Sequence, residues 1–107
     1  MDLAVLIYKL SHKFPKEETY RLVSQLTRAV ASIPANIAEG SARGTARDYA
    51  HFLSIAKGSL METETFLFLA NRLEYLSQQE TRPALDLITE ISKILTAMRK
   101  KLTAEVF

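Results

Sequence analysis

From Ala46 to about Leu76 the chain reads as one long helix whose apolar residues fall on two neighbouring faces. Tyr49, Phe52, Ala56, Leu60, Thr63, Leu67 and Ala70 form one stripe, and Ile55, Ser59, Glu62, Phe66, Leu69, Leu73 and Leu76 form another. Steps of three and four residues put each set on one side of a helix. A single neighbour covers one stripe, so a rod with two must be buried on several sides. In a chain of 107 residues, part of that burial has to come from other chains. This stretch therefore dictates a helical bundle and favours assembly.

The remaining segments fit that scheme. Asp2 is a plausible N-cap, and Leu3, Ile7, Leu10 and Phe14 make residues 3–12 a short amphipathic helix. Phe14-Pro15 ends it, because a residue before proline avoids the helical region. A second helix runs from Lys16 to Arg43, its start favoured by Glu17 and Glu18 through the helix dipole. Leu22, Leu26, Ala29, Ile33 and Ile37 form its stripe, with Val23 and Val30 beside it. Pro34 lies inside, so the helix either kinks and continues or breaks into 17–32 and 34–42. Gly44-Thr45 makes the next turn, with Thr45 and Asp48 at capping-box spacing. Ser77 with Glu80, or Thr81 with Pro83 in its first turn, starts a fourth helix over 78–103 or 82–103. Its stripe is Ile88, Ile91, Leu95, Met98 and Leu102. Four helices on short turns predict an all-α, up-down-up-down four-helix bundle, with residues 1–107 as one domain. Aromatic residues are only 8% against 48% hydrophobic, so Leu, Ile and Ala supply the core.

An antiparallel second and third helix pair residues whose numbers add to about 88. That register sets Asn36 near Phe52, and Arg28 near Leu60 and Glu62. Small residues Ala35, Ala38, Ala56 and Gly58 would then permit close packing. Glu62 interrupts an apolar stripe, which calls for a cation, and Arg28 is the one the register supplies.

Several kinds of chemistry lack their residues. The chain has no cysteine, hence no disulfide frame or thiolate metal site. No cofactor is expected. Metal sites in bundles use Glu-x-x-His pairs, and neither His12 nor His51 has a Glu three residues before it. Arg47 and His51 have the residue types of a helical ribonuclease but stand too close together. No serine has a base and an orienting acid around it, and Gly40 and Gly44 lack a phosphate-loop lysine. The segment Ile37–Gly40 followed by Thr45–Arg47 loosely suggests a helix-turn-helix, but the helix after it is too long and too apolar for recognition. No catalytic residue emerges. Nothing resembles a signal peptide or an apolar run of about 18 residues, so the expectation is a cytoplasmic protein without a membrane segment.

The basic residues carry the functional expectation. Fourteen Lys and Arg face twelve Asp and Glu, a formal charge of +2. Arg43 and Arg47 flank one turn, and Lys93, Arg99, Lys100 and Lys101 cluster late. Solvated surface is the plain reading. In a symmetric oligomer, however, each patch repeats, and repetition raises attraction for phosphate backbones of RNA or DNA.

Four segments resemble one family: Phe14-Pro15-Lys16-Glu17-Glu18, Gln25–Ala29, Ser32-Ile33-Pro34-Ala35-Asn36-Ile37-Ala38-Glu39-Gly40, and Phe52–Glu62 with its Gly58-Ser59-Leu60-Met61-Glu62. These are similar to the 23S rRNA intervening-sequence proteins, bacterial four-helix bundles, over nearly the whole chain. The segment before Phe14 is shorter than in many members. The resemblance implies a left-handed bundle that assembles as a homopentameric ring. It also implies kinship with the accessory variability determinant of diversity-generating retroelements, which binds nucleic acid and a reverse transcriptase. Arg28, Pro34, Asn36, Glu39, Gly40, Gly58 and Glu62 fall on motif positions of structural character. The functions this implies are RNA association through backbone electrostatics or, alternatively, an adaptor ring for a protein partner such as a reverse transcriptase.

Overall fold

The computed structural model describes residues 1–106. Four helices form: α1 Asp2–Ser11, α2 Leu22–Ala42, α3 Ala46–Arg72 and α4 Gln78–Val106, with a short 3₁₀ turn at Lys16–Glu18 between the first two. The all-α fold is that of a four-helix bundle.

Tertiary contacts move several helix ends away from the sequence expectation. Asp2 is not the N-cap; Met1 takes that place and Asp2 lies in the first turn, where its carboxylate still answers the dipole. The second helix starts at Leu22 rather than Lys16. Arg21, with φ −119° and ψ −103°, interrupts the chain there. The cause is Glu18, which turns inward to accept a 2.7 Å hydrogen bond from the Tyr75 hydroxyl and lies 3.5 Å from Arg21 Nε. That anchorage overrides the helix-starting preference of Glu17 and Glu18.

Of the two readings at Pro34, the continuous helix holds. Pro34 has no N–H to offer the Val30 carbonyl. The same turn gains side-chain bonds instead: Asn36 Nδ2 donates to the Ser32 carbonyl at 2.7 Å, and Ser32 Oγ to that of Ala29 at 2.8 Å. Thr45 caps α3 as expected, its hydroxyl accepting from Asp48 N–H at 3.1 Å.

α3 stops at Arg72, one turn before Leu76. Glu74 takes a left-handed conformation at φ 63°, with Glu74 N–H bonded to the Asn71 carbonyl and Tyr75 N–H to that of Ala70. This is a Schellman C-cap with glutamate in the position that usually holds glycine. α4 takes the earlier of its two expected starts. Ser77 N–H donates to Glu80 Oε1 at 2.9 Å and Glu80 N–H to Ser77 Oγ at 3.0 Å, a complete capping box. Thr81 is therefore not the cap. It is buried inside α4, its hydroxyl 3.3 Å from Asn71 Oδ1. Pro83 is exposed, so water can serve the carbonyl it leaves without a donor.

The core is built by Ile7 and Leu10 of α1, Leu26, Val30 and Ile33 of α2, Leu53, Leu60 and Leu67 of α3, and Ile88 and Leu95 of α4. α3 packs on α2 and α4, and α1 packs on the same two helices from the opposite side. Contacts at both ends fix the directions. Asn71 meets Thr81 and Lys57 meets Thr96, so α3 and α4 run antiparallel. The molecule measures 46 × 24 × 19 Å.

The first expected stripe on α3 is buried from Ala56 to Ala70, but Ala50 and Leu53 lead it, with Tyr49 and Phe52 half-buried. Those two rings turn toward α2 to pack on Gly40. A Cβ on Gly40 would lie 2.7 Å from Phe52 Cβ and 3.1 Å from Tyr49 Cδ1. Gly40 is thus the close-approach residue, and Phe52 meets it one turn beyond Asn36. Ala35, Ala38 and Gly58 are exposed and do not serve that purpose. The expected Arg28–Glu62 pair does not form among the described residues; both side chains face solvent. Glu62 needs no cation because much of the second stripe is open to solvent: Ile55, Leu69 and Leu73 are 39%, 43% and 45% exposed, while Leu76 is buried and Ser59 and Phe66 are half-buried.

Candidate nucleic-acid interface

The antiparallel run of α3 and α4 brings the last part of α4 to the same end of the bundle as the α2–α3 turn. Between the two helices lies an open groove of about 530 Å³. Lys57 and Gly58 of α3 and Arg99 and Lys100 of α4 line it, with hydroxyls from Ser54, Thr96 and Thr103. Lys57 Nζ donates to Thr96 Oγ1 at 2.8 Å across it. No carboxylate is among the described residues that line the groove.

Two of the six expected contact residues, Arg99 and Lys100, therefore meet in one groove. Lys93 and Lys101 are exposed on α4 but do not line it. Arg43 and Arg47 are exposed at the same end of the molecule. Arg43 is held in place, its Nε 2.9 Å from Glu39 Oε2 and its guanidinium 4.9 Å above the Phe52 ring. Glu39 answers part of its charge, so Arg43 offers less to a phosphate than its exposure suggests. Lys57 was not anticipated. Its signal is the Ser54/Lys57/Gly58 face of α3, which matters only once the pairing with α4 is known.

Of the other motif residues, Gly40, Asn36 and Pro34 shape the scaffold under this end, while Arg28 and Glu62 stay exposed on the surface. Gly40 seats Phe52, Phe52 seats Arg43, and Asn36 adds a bond in the turn around Pro34. The opposite end is a network of its own. Lys13 bridges to Glu80, Phe14 packs on Tyr75 at 5.4 Å between ring centres, and Tyr75 bonds Glu18. The Lys13 ammonium, followed by the Ser77 N–H, pulls the Glu80 carboxyl down to about 2. The hydrogen bond to Glu18 raises the Tyr75 hydroxyl above its ordinary value. These contacts tie the loop after α1 to the turn before α4.

Among the described residues no three His, Asp or Glu side chains converge as a metal site would require. His51 is exposed and rests edge-on against Phe52, 5.4 Å between ring centres. No helix of the described residues is long and apolar enough to cross a membrane.

A family model described as 23S rRNA-intervening sequence protein matches residues 1–97. Among solved structures, the chain is similar to a crystal structure of a protein of unknown function from the S23 ribosomal protein family of Bacteroides thetaiotaomicron VPI-5482. The two are 31% identical over 92% of this chain and 93% of that one, with a TM-score of 0.84. No functionally curated protein matches.

Proposed function

This chain belongs to the 23S rRNA-intervening sequence protein family, and from that premise we propose that it is a non-enzymatic, homopentameric, cytoplasmic bundle that associates with RNA through its phosphate backbone. The carrying observation is the α3–α4 groove, where Lys57, Arg99 and Lys100 stand together with no carboxylate among the described lining residues. Arg47 and Lys101 extend positive charge over the same end, and repetition around a ring would multiply it. Self-assembly is supported by the uncovered Ile55, Leu69 and Leu73 of α3. Phosphate contacts of this kind position a strand without reading its bases.

The test is retention on mixed RNA at increasing salt. Binding falls linearly on a log–log plot, with a slope near −2 if one subunit engages about three phosphates of a single strand. The triple substitution Lys57→Ala, Arg99→Ala, Lys100→Ala flattens that slope. Absence of retention at low salt overturns the reading. The same apolar face favours a second reading, an adaptor for a protein partner such as a polymerase. Co-purification of one partner after nuclease treatment, without RNA retention, would support it.

A further inference from the structure

Two interior helix glycines behave in opposite ways in this molecule. Gly40 is buried against Phe52 and Tyr49. Gly58 lies well inside the 27-residue α3, is exposed, and a Cβ built on it meets no atom within 4 Å. Within the subunit, alanine would favour the helix there at no steric cost. Nothing within the subunit uses the missing side chain, and the space it leaves opens outward. Glycine is of use where a backbone must be approached closely by something else.

The space is the wall of the α3–α4 groove, so the lining describes its occupant. Lys57 stands beside Gly58, with Arg99 and Lys100 on the facing helix and the hydroxyls of Ser54 and Thr96 between. This chemistry takes an anion bearing several acceptor oxygens. The groove volume of about 530 Å³ matches sites that hold small ligands or short segments. A volume of this size suits one backbone segment better than the girth of a duplex. We propose that Gly58 is the seat on which the sugar–phosphate backbone of single-stranded RNA rests against α3, with Lys57, Arg99 and Lys100 paired to its phosphates. Lys57 is already aimed across the groove by its bond to Thr96. On binding it exchanges a neutral hydroxyl for an ionised oxygen, a stronger acceptor. This inference rests on the RNA reading above and names the place and strandedness of the contact.

Gly58→Leu fills the space without altering charge, and Gly58→Ala fills it in part. The probe is a fluorescently labelled oligouridylate, measured by anisotropy at fixed low salt, with double-stranded RNA as competitor. Both variants melt at or above the wild-type temperature and keep the wild-type mass by light scattering. Gly58→Leu binds the oligouridylate about tenfold more weakly or worse, Gly58→Ala falls between, and duplex competes poorly. Unchanged affinity in Gly58→Leu, while the triple lysine–arginine variant loses binding, overturns this inference and leaves the RNA reading standing. A changed mass for Gly58→Leu assigns the space to a joint between copies and also overturns it. If the wild-type protein retains no oligouridylate, both readings fall.

Discussion

Gly40 shows how far one residue governs the upper half of this bundle. It lies under the Phe52 side chain, and that ring in turn carries Arg43. Gly40→Ala drives a methyl group into Phe52 Cβ at 2.7 Å, an atom fixed to the backbone of α3. We expect a loss of about 1–3 kcal/mol from the forced separation of α2 and α3, seen as a lower midpoint in thermal or urea unfolding. Sequence alone does not separate two uses of a helical glycine, ending a helix or permitting an approach, because both need a missing side chain. Only the partner helix distinguishes them. Arg28 and Glu62 were misjudged for a related reason. An acid among apolar residues suggests a buried pair, but that logic fails on a face that the subunit leaves largely open. Glu74 could not be foreseen at all, since glycine is the residue expected at a left-handed position.

At the scale of elements, the two caps that pair residues three apart were readable, whereas the single-residue cap expected at Asp2 does not form and the start of α2 was obscure. Thr45–Asp48 and Ser77–Glu80 depend on residues three apart, and both form. The true start of α2 depends on Glu18 reaching Tyr75, 57 positions away in sequence. Glu80 serves two elements at once, closing the α4 cap and bridging to Lys13. Its carboxyl titrates at about 2 in the folded protein, against an ordinary 4.5. The folded value is the lower one, so the charged form stabilises the fold. That contribution is complete above about pH 4.5 and is lost as pH falls toward about 2. Glu80→Gln should unfold at a lower temperature than wild type at neutral pH, and the gap should narrow on acidification through this window. A constant gap across it would assign the effect to packing instead.

For the molecule as a whole, the double stripe on α3 carried the most information. Its first face became the core almost residue for residue, which is why the bundle was legible. Its second face stayed largely open at Ile55, Leu69 and Leu73, apolar surface that a neighbour could cover. If that face joins copies, Leu69→Glu with Leu73→Glu should dissociate them. Light scattering would then report the 12.1 kDa subunit in place of a multiple, with helical content kept. The basic groove was only half visible beforehand, because Lys57 and Arg99 become neighbours through the pairing of α3 and α4. One proportion of the fold bears on how such a groove behaves. α1 has 10 residues, about 15 Å of helix, in a body 46 Å long. It lies over the end already laced together by Lys13, Glu18, Tyr75 and Glu80, with its first residues beside Ile37 and Ile91. Past that level only three columns remain. The base of the shaft is thus braced on a side that its charged tip leaves bare, which puts the longest unbraced run of α4 at the end where its cations gather.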